Sequence, residues 1–282
     1  MSADLSRTTT TGPAPAARTY RRYVAIGDST TEGMDDPDGA GGYRGWADRF
    51  AEHVARAQSG PRPADVAVLE YANLAIRGRT TARIRAEQLQ PALALEPDLA
   101  TVVAGMNDIL RGRFDVSAVA ADIFAMQGAL VSAGATVLTF TLPDPAPVMP
   151  IVRPLRGRVL ALNDAIRKVT ADSGATLLDL GAYPVASDPR LWSDDRLHAN
   201  SAGHERIGAA LAYALGLPGF DDSWGAELPP PVRRPRHRTI AAELAWFRRH
   251  LLPWAGRHLL GRSSGDNRVC KRATPTPVVA NP

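Results

Sequence analysis

Five short runs rich in apolar and β-branched residues punctuate the first two-thirds of this 282-residue chain: Tyr23–Ile26, Val66–Tyr71, Leu99–Ala104, Thr136–Thr141 and Thr176–Leu180. They show near-continuous hydrophobicity rather than alternation, the pattern of strands buried on both faces. Between them lie segments with helical spacing, about Gly45–Gln58, Thr80–Leu89, Val116–Ala133 and Leu155–Ser173, followed by another at Ala202–Leu215. Parallel neighbours need crossover connections, so strands alternating with helices specify a parallel sheet covered on both sides. The expectation is one doubly wound, three-layer α/β/α domain over about residues 20–218, with a five-stranded parallel sheet.

In such a sheet the ligand crevice lies beyond the carboxyl ends of the strands. Strand one runs into Gly27-Asp28-Ser29, strand two into Asn73 and then Gly78, and strand three into Gly105-Met106-Asn107-Asp108; strand four opens into the proline-rich stretch Pro143–Pro154, and the segment after strand five leads to Asp195-Arg196-Leu197-His198. Acyl transfer by a serine needs a hydroxyl, a base within reach, a group that fixes the base's tautomer, and donors for a developing oxyanion. Ser29 sits at a strand-to-helix turn as candidate nucleophile. His198 is the candidate base, and Asp195, three residues earlier, can reach one imidazole nitrogen while the other faces Ser29. The Ser29 N–H, the Gly78 N–H and the Asn107 amide are candidate oxyanion donors.

These blocks, in this order, resemble the SGNH (GDSL-like) hydrolases over about residues 20–218. The resemblance is carried by Gly27-Asp28-Ser29 within GDSTTEG, Gly78 in NLAIRGRT, Gly105-Met106-Asn107-Asp108, and Asp195-Arg196-Leu197-His198 continuing as HANSAGH. It implies a flavodoxin-like sheet, an oxyanion site of Ser29, Gly78 and Asn107, and a triad completed by Asp195 and His198. Thr30 stands where the namesake motif has Leu, a departure that leaves the catalytic assignment in place. The implied activity is hydrolysis of small-molecule carboxylic esters.

Each residue also has a plainer reading. Gly-Asp-Ser after a strand is often a simple turn, Asn107 can merely cap its loop, and Gly78 can be a turn glycine. Asp194 reads as a solvated neighbour of the triad acid, Asp28 and Asp108 as loop-holding carboxylates, and His53 and His204 as exposed or packing histidines. No Gly-x-Ser-x-Gly elbow occurs. Gly39, Gly41 and Gly45 begin about a dozen residues too late after strand one to cradle a dinucleotide. There is no Walker sequence and no His-Glu-x-x-His helix, and the His198/His204 pair lacks a third ligand, so neither metal nor cofactor is expected.

Charge divides the chain. Residues 221–282 hold 11 Lys+Arg against 5 Asp+Glu, leaving 22 basic and 24 acidic residues before them. The body carries no nucleic-acid-reading motif, and none is expected to bind there. Residues 1–19 read as a disordered lead-in rather than a signal peptide. The single cysteine, Cys270, can form no internal disulfide, which suits a cytoplasmic setting. Residues 219–282 read as a basic extension in which Ile240, Leu244, Phe247 and Leu251 form an apolar stripe on a helix at about 239–252. That helix is expected to pack on the catalytic body ahead of a disordered end. The sharper alternative is that Trp246, Phe247, Trp254 and nearby arginines bind an anionic membrane surface or a protein partner. Loops Met34–Tyr43 and Leu142–Pro154, rich in Gly and Pro and without a charge clamp, suggest an open apolar site for short-acyl or O-acetyl esters. Lysophospholipase, thioesterase or acyltransferase chemistry on the same triad, and a non-catalytic binding module localised by its tail, are the alternatives.

Overall fold

The computed structural model describes residues 18–59, 68–230, 243–253 and 265–279. Most of the expected lead-in, Ile240 and the side chain of Leu251 lie outside these residues, as does Trp254. In chain order the elements are β1 (Arg22–Gly27), α1 (Ser29–Glu32), α2 (Gly45–Gln58), β2 (Glu70–Asn73), α3 (Thr81–Ala94) and β3 (Leu99–Val103). They continue as α4 (Met106–Ile109), α5 (Val116–Ser132), β4 (Thr136–Phe140), α6 (Arg156–Ser173), β5 (Thr176–Leu178), α7 (Ser201–Ala214) and β6 (Arg272–Pro277). The sheet order is β5-β4-β3-β1-β2-β6. Its first five strands are parallel, and β6 joins β2 antiparallel.

Successive residues of a strand point to opposite faces, and β1 shows what that requires here. Tyr23 and Ala25 enter one core with Trp46 and Phe50 of α2 and Leu211 of α7, while Val24 and Ile26 enter the other with Ile84 of α3, Met126 of α5 and Leu162 of α6. Both faces of β1 are closed to solvent from Tyr23 to Ile26, which is why the run reads as uninterrupted hydrophobicity. Strand β2 begins later than expected: Val68 is 56% exposed, and pairing starts at Glu70. Helix α3 continues through Pro91 to Ala94.

Within the stretch expected to be disordered, residues 272–277 form a strand, so the sheet has six strands rather than five. Val278 N–H donates to the Leu69 carbonyl at 2.8 Å and Thr276 pairs with Tyr71, so Thr276 and Val278 turn their N–H groups to β2, beyond a register shift toward Arg272. Pro275 and Pro277, which have none, take the outward positions, where a sheet edge tolerates proline. Lys271, just before β6, buries its ammonium against Asp48 Oδ2 at 2.5 Å and the carbonyls of Tyr43 and Arg44 at 2.9 and 2.7 Å. These three acceptors use its three donors. Replacing Lys271 with Met leaves the Asp48 carboxylate, which burial already pushes above its usual pKa, without its cation. We expect a loss of roughly 2–4 kcal/mol in chemical denaturation, with faster proteolysis near β6. An unchanged denaturation midpoint would remove Lys271 as the anchor of that strand.

The amphipathic helix is also placed differently from expectation. Its described portion, Glu243–Pro253, leaves Leu244 and Phe247 63% and 41% exposed, so this part of the apolar stripe faces away from the body. Contact is made instead through Arg196, whose guanidinium pairs with Glu243 and lies 4.4 Å over the Trp246 ring. No helix among the described residues is long and apolar enough to cross a membrane.

Candidate active site

The strand order places β1 between β3 and β2, so the connections after β1 and β3 leave in opposite directions and open a crevice at their carboxyl ends. Ser29 stands in that crevice as the first residue of α1. Asp28 caps the helix by accepting the Thr30 N–H at 3.0 Å. Gly33 ends α1 in the left-handed region, and its Cα lies so close to that of Gly45 that a side-chain carbon on Gly45 would come within 2.4 Å of it. The glycines after β1 thus bring two backbone segments together.

His198 arrives from the far end of the chain's catalytic body on a tight loop closed by the Ser193 N–H to His198 carbonyl bond at 2.9 Å. Asn200 then caps α7 by accepting the Gly203 N–H at 3.0 Å. His198 Nε2 lies 2.9 Å from Ser29 Oγ, and its Nδ1 lies 2.6 Å from Asp195 Oδ2. The other oxygen, Asp195 Oδ1, accepts the Leu197 and His198 N–H groups at 2.8 and 3.0 Å and lies 2.7 Å from Ser193 Oγ. Burial opposes the charge on Asp195, but the imidazole, the Ser193 hydroxyl and the Leu197 N–H outweigh it and hold its pKa far below the usual carboxylate range. Burial likewise opposes protonation of His198. The hydrogen bond and charge of Asp195, with Asp35 and Asp28, override that and raise its pKa. The result is an imidazole aimed at a hydroxyl, with its tautomer held by a carboxylate that favours the ionised form.

The three expected oxyanion donors come from loops that are laced together. Asn107 Nδ2 donates to Asp28 Oδ2 at 2.9 Å and to the Arg79 carbonyl at 3.1 Å, tying the β3 loop to both neighbours. The Ile76 N–H reaches the Gly27 carbonyl at 3.3 Å. Gly78, with φ of 72°, occupies a conformation that a side chain would strain. Among the described residues the N–H groups of Ser29 and Gly78 have no protein acceptor. Asn107 differs: both of its amide hydrogens are engaged, so it can serve an oxyanion only by releasing one of these bonds.

Asp28 is buried, and that burial raises its pKa to about 6. Asp108 holds the start of α3 through Thr81 N–H and Oγ1 at 2.9 and 2.8 Å. Asp194 is exposed. His204 is fully buried, accepts the Trp46 N–H on Nδ1 at 3.1 Å and donates from Nε2 to the Met34 carbonyl at 3.0 Å. Burial pulls its pKa down to about 4, so it stays neutral and serves as a strut. His53 packs its ring on Phe220. Two residues without a sequence signal also stand at the triad: Asp35, whose Oδ2 is 4.0 Å from His198 Nδ1, and Ser193, which lies between Asp35 and Asp195. An apolar cavity of about 70 Å³ adjoins Thr30 and Leu197, the residues after Ser29 and before His198; Phe140, Leu142, Leu180 and Val185 also line it.

Residues 25–206 match the GDSL-like lipase/acylhydrolase family. The chain belongs to that family. Solved structures with the same fold include TesA, at 22% identity and a TM-score of 0.55 over 69% of this chain and 98% of that one. An Axe2 variant, an acetyl-xylooligosaccharide esterase from Geobacillus stearothermophilus, gives 16% identity and a TM-score of 0.58 over 71% and 96%. The esterase EstA from Pseudoalteromonas gives 18% and 0.54 over 70% and 97%. No curated protein sequence matches. Membership in this GDSL-like family makes the protein an ester hydrolase, and the sheet with its mostly parallel strands is the family's fold with a sixth strand added at the β2 edge.

Proposed function

We propose that this hydrolase cleaves short-acyl or O-acetyl carboxylic esters through an acyl-Ser29 intermediate. The observation that carries the reading is the continuous hydrogen-bonded chain from Ser29 Oγ through His198 to Asp195 at the carboxyl end of β1. As Oγ attacks the ester carbonyl, its proton passes to His198 Nε2, Nδ1–H stays with Asp195, and the imidazolium then protonates the departing alcohol. Water, deprotonated by the regenerated neutral imidazole, attacks the acyl carbon and releases Ser29. The N–H groups of Ser29 and Gly78, without acceptors among the described residues, receive the oxyanion. Asn107 joins them by releasing Asp28 or Arg79.

The cavity beside Thr30 and Leu197 is lined almost wholly by apolar side chains, which supports an uncharged acyl group as its occupant. The acetyl-xylooligosaccharide esterase among the similar folds carries a substrate name within the class proposed here. The test is hydrolysis of p-nitrophenyl acetate, butyrate and octanoate, together with labelling by a fluorophosphonate and peptide mass mapping. Acetate and butyrate should turn over at least about tenfold faster than octanoate, with the label on Ser29. Turnover with label elsewhere would overturn the nucleophile, and a preference for octanoate would overturn the short-acyl assignment.

A further inference from the structure

The triad contains one carboxylate in contact with the imidazole, yet a second stands beside it. Asp35 Oδ2 lies 2.5 Å from Ser193 Oγ, which in turn lies 2.7 Å from Asp195 Oδ1. One hydroxyl has one proton and cannot serve two carboxylates at once. Asp195 Oδ1 already accepts two backbone N–H groups, whereas Ser193 is the hydrogen-bond partner of Asp35 among the described residues. The proton is therefore exchanged between the two carboxylates, so that Ser193 links Asp35 to Asp195, and its oxygen faces the Asp195 N–H at 3.3 Å.

Asp35 is also held there deliberately. Its φ of 66° lies in the left-handed region, which a non-glycine residue keeps only when its surroundings enforce it. The enforcement starts at the nucleophile itself, because the Gly33 and Met34 N–H groups both bond to the Ser29 carbonyl at 3.1 Å. On either side, Met34 O is tied to His204, and the Asp36 carboxylate is tied to Gly45 N–H and Arg49.

We propose that Asp35 is a second, positioning carboxylate of the triad, fixing the Asp195 loop through Ser193 and adding a negative charge beside His198 Nδ1. The inference rests on the acyl-serine reading above. When Ser29 gives its proton to Nε2, the imidazolium forms 4.0 Å from Asp35, close enough for a carboxylate to favour the charged form. Asp35 thereby adds to the stabilisation of the cation that Asp195 contacts directly. The titratable groups facing His198 are Asp195 on its own loop, Asp35 on the β1 loop, Asp28 at the start of α1 and neutral His204 on α7.

The test is Asp35→Asn in the full chain, because Asn tolerates the left-handed region and keeps an acceptor for Ser193 while deleting the charge. Asp35→Gly, which suits that backbone better still, guards against misfolding of the first variant. Two readings are taken: the His198 imidazole titration by nitrogen-15 NMR, assigned with a His198 variant, and the pH profile of kcat/KM on p-nitrophenyl acetate. Both variants should lower the His198 pKa and shift the acid limb downward by roughly 0.5–1 pH unit, with the charge partly screened at this half-buried position. The plateau should fall roughly tenfold. Asp194→Asn, an exposed carboxylate on the same loop, should change neither. Folded Asp35 variants that titrate like wild type would overturn the proposal. Should wild type hydrolyse none of the esters, the acyl-serine reading fails, and the NMR titration still decides the role of Asp35.

Discussion

Replacing Ser29 with alanine is expected to lower kcat on a p-nitrophenyl ester by a factor on the order of 10⁴–10⁶ with the fold unchanged. The substitution deletes one hydroxyl whose bond is to His198 Nε2, so the stability change should stay within about 0.5 kcal/mol. What survives would be the contribution of binding and of the backbone donors at Ser29 and Gly78, neither of which the substitution removes. Because nucleophile and base act on one proton, His198→Ala should cost about as much, and the double variant little more than either single one. Residual turnover within tenfold of wild type would place the nucleophile elsewhere. Additive losses would break the link between Ser29 and His198.

The largest loss of stability should follow Glu32→Ala. Glu32 sits three residues after Ser29, 8% exposed, and its carboxylate accepts the Arg77 N–H at 2.9 Å and Arg77 Nε at 3.0 Å, with Nη2 closing the pair. Arg77 is 7% exposed and lies over the Tyr43 ring. Deleting the carboxylate strands a buried guanidinium and a buried N–H together, a change that costs roughly 3–5 kcal/mol. Glu32→Gln keeps one carbonyl oxygen for the N–H and should lose less. Since Arg77 immediately precedes Gly78, activity should fall in parallel as the Gly78 loop, proposed above to receive the oxyanion, loses its tie to α1. The check is a denaturation series on both variants; a Glu32→Ala loss below about 1 kcal/mol would show that the pair contributes little beyond desolvation.

The sequence was most readable where one physical cause dominated. Strands β1, β3, β4 and β5 are covered by helices on both faces, and burial of that kind writes itself as continuous apolar runs. The proximity of Ser29, His198 and Asp195 was readable because Asp195 and His198 are near neighbours and Ser29 follows directly on a strand. Reading failed where a residue's role depends on a distant partner. Strand β6 has prolines at two of its six positions, which argues against any strand until it is known that both face the outer edge. The apolar stripe of Leu244 and Phe247 suggested burial, but the contact runs through Arg196 instead. Asp35 and Ser193 are 158 positions apart, and neither Asp in Met34-Asp35-Asp36-Pro37 announces which one turns to the triad.

Strand β6 finally bears on how the enzyme is made. Its partner β2 is complete some 200 residues earlier, and the Arg77 and Arg79 loop touches Gly265 as well. During synthesis the β2 edge therefore waits, unpaired, until residues 265–277 have left the ribosome. In that interval its free N–H and C=O groups form a template open to other chains. The alternate prolines that blunt the outer edge of β6 protect only the finished molecule, in which that strand has already covered β2.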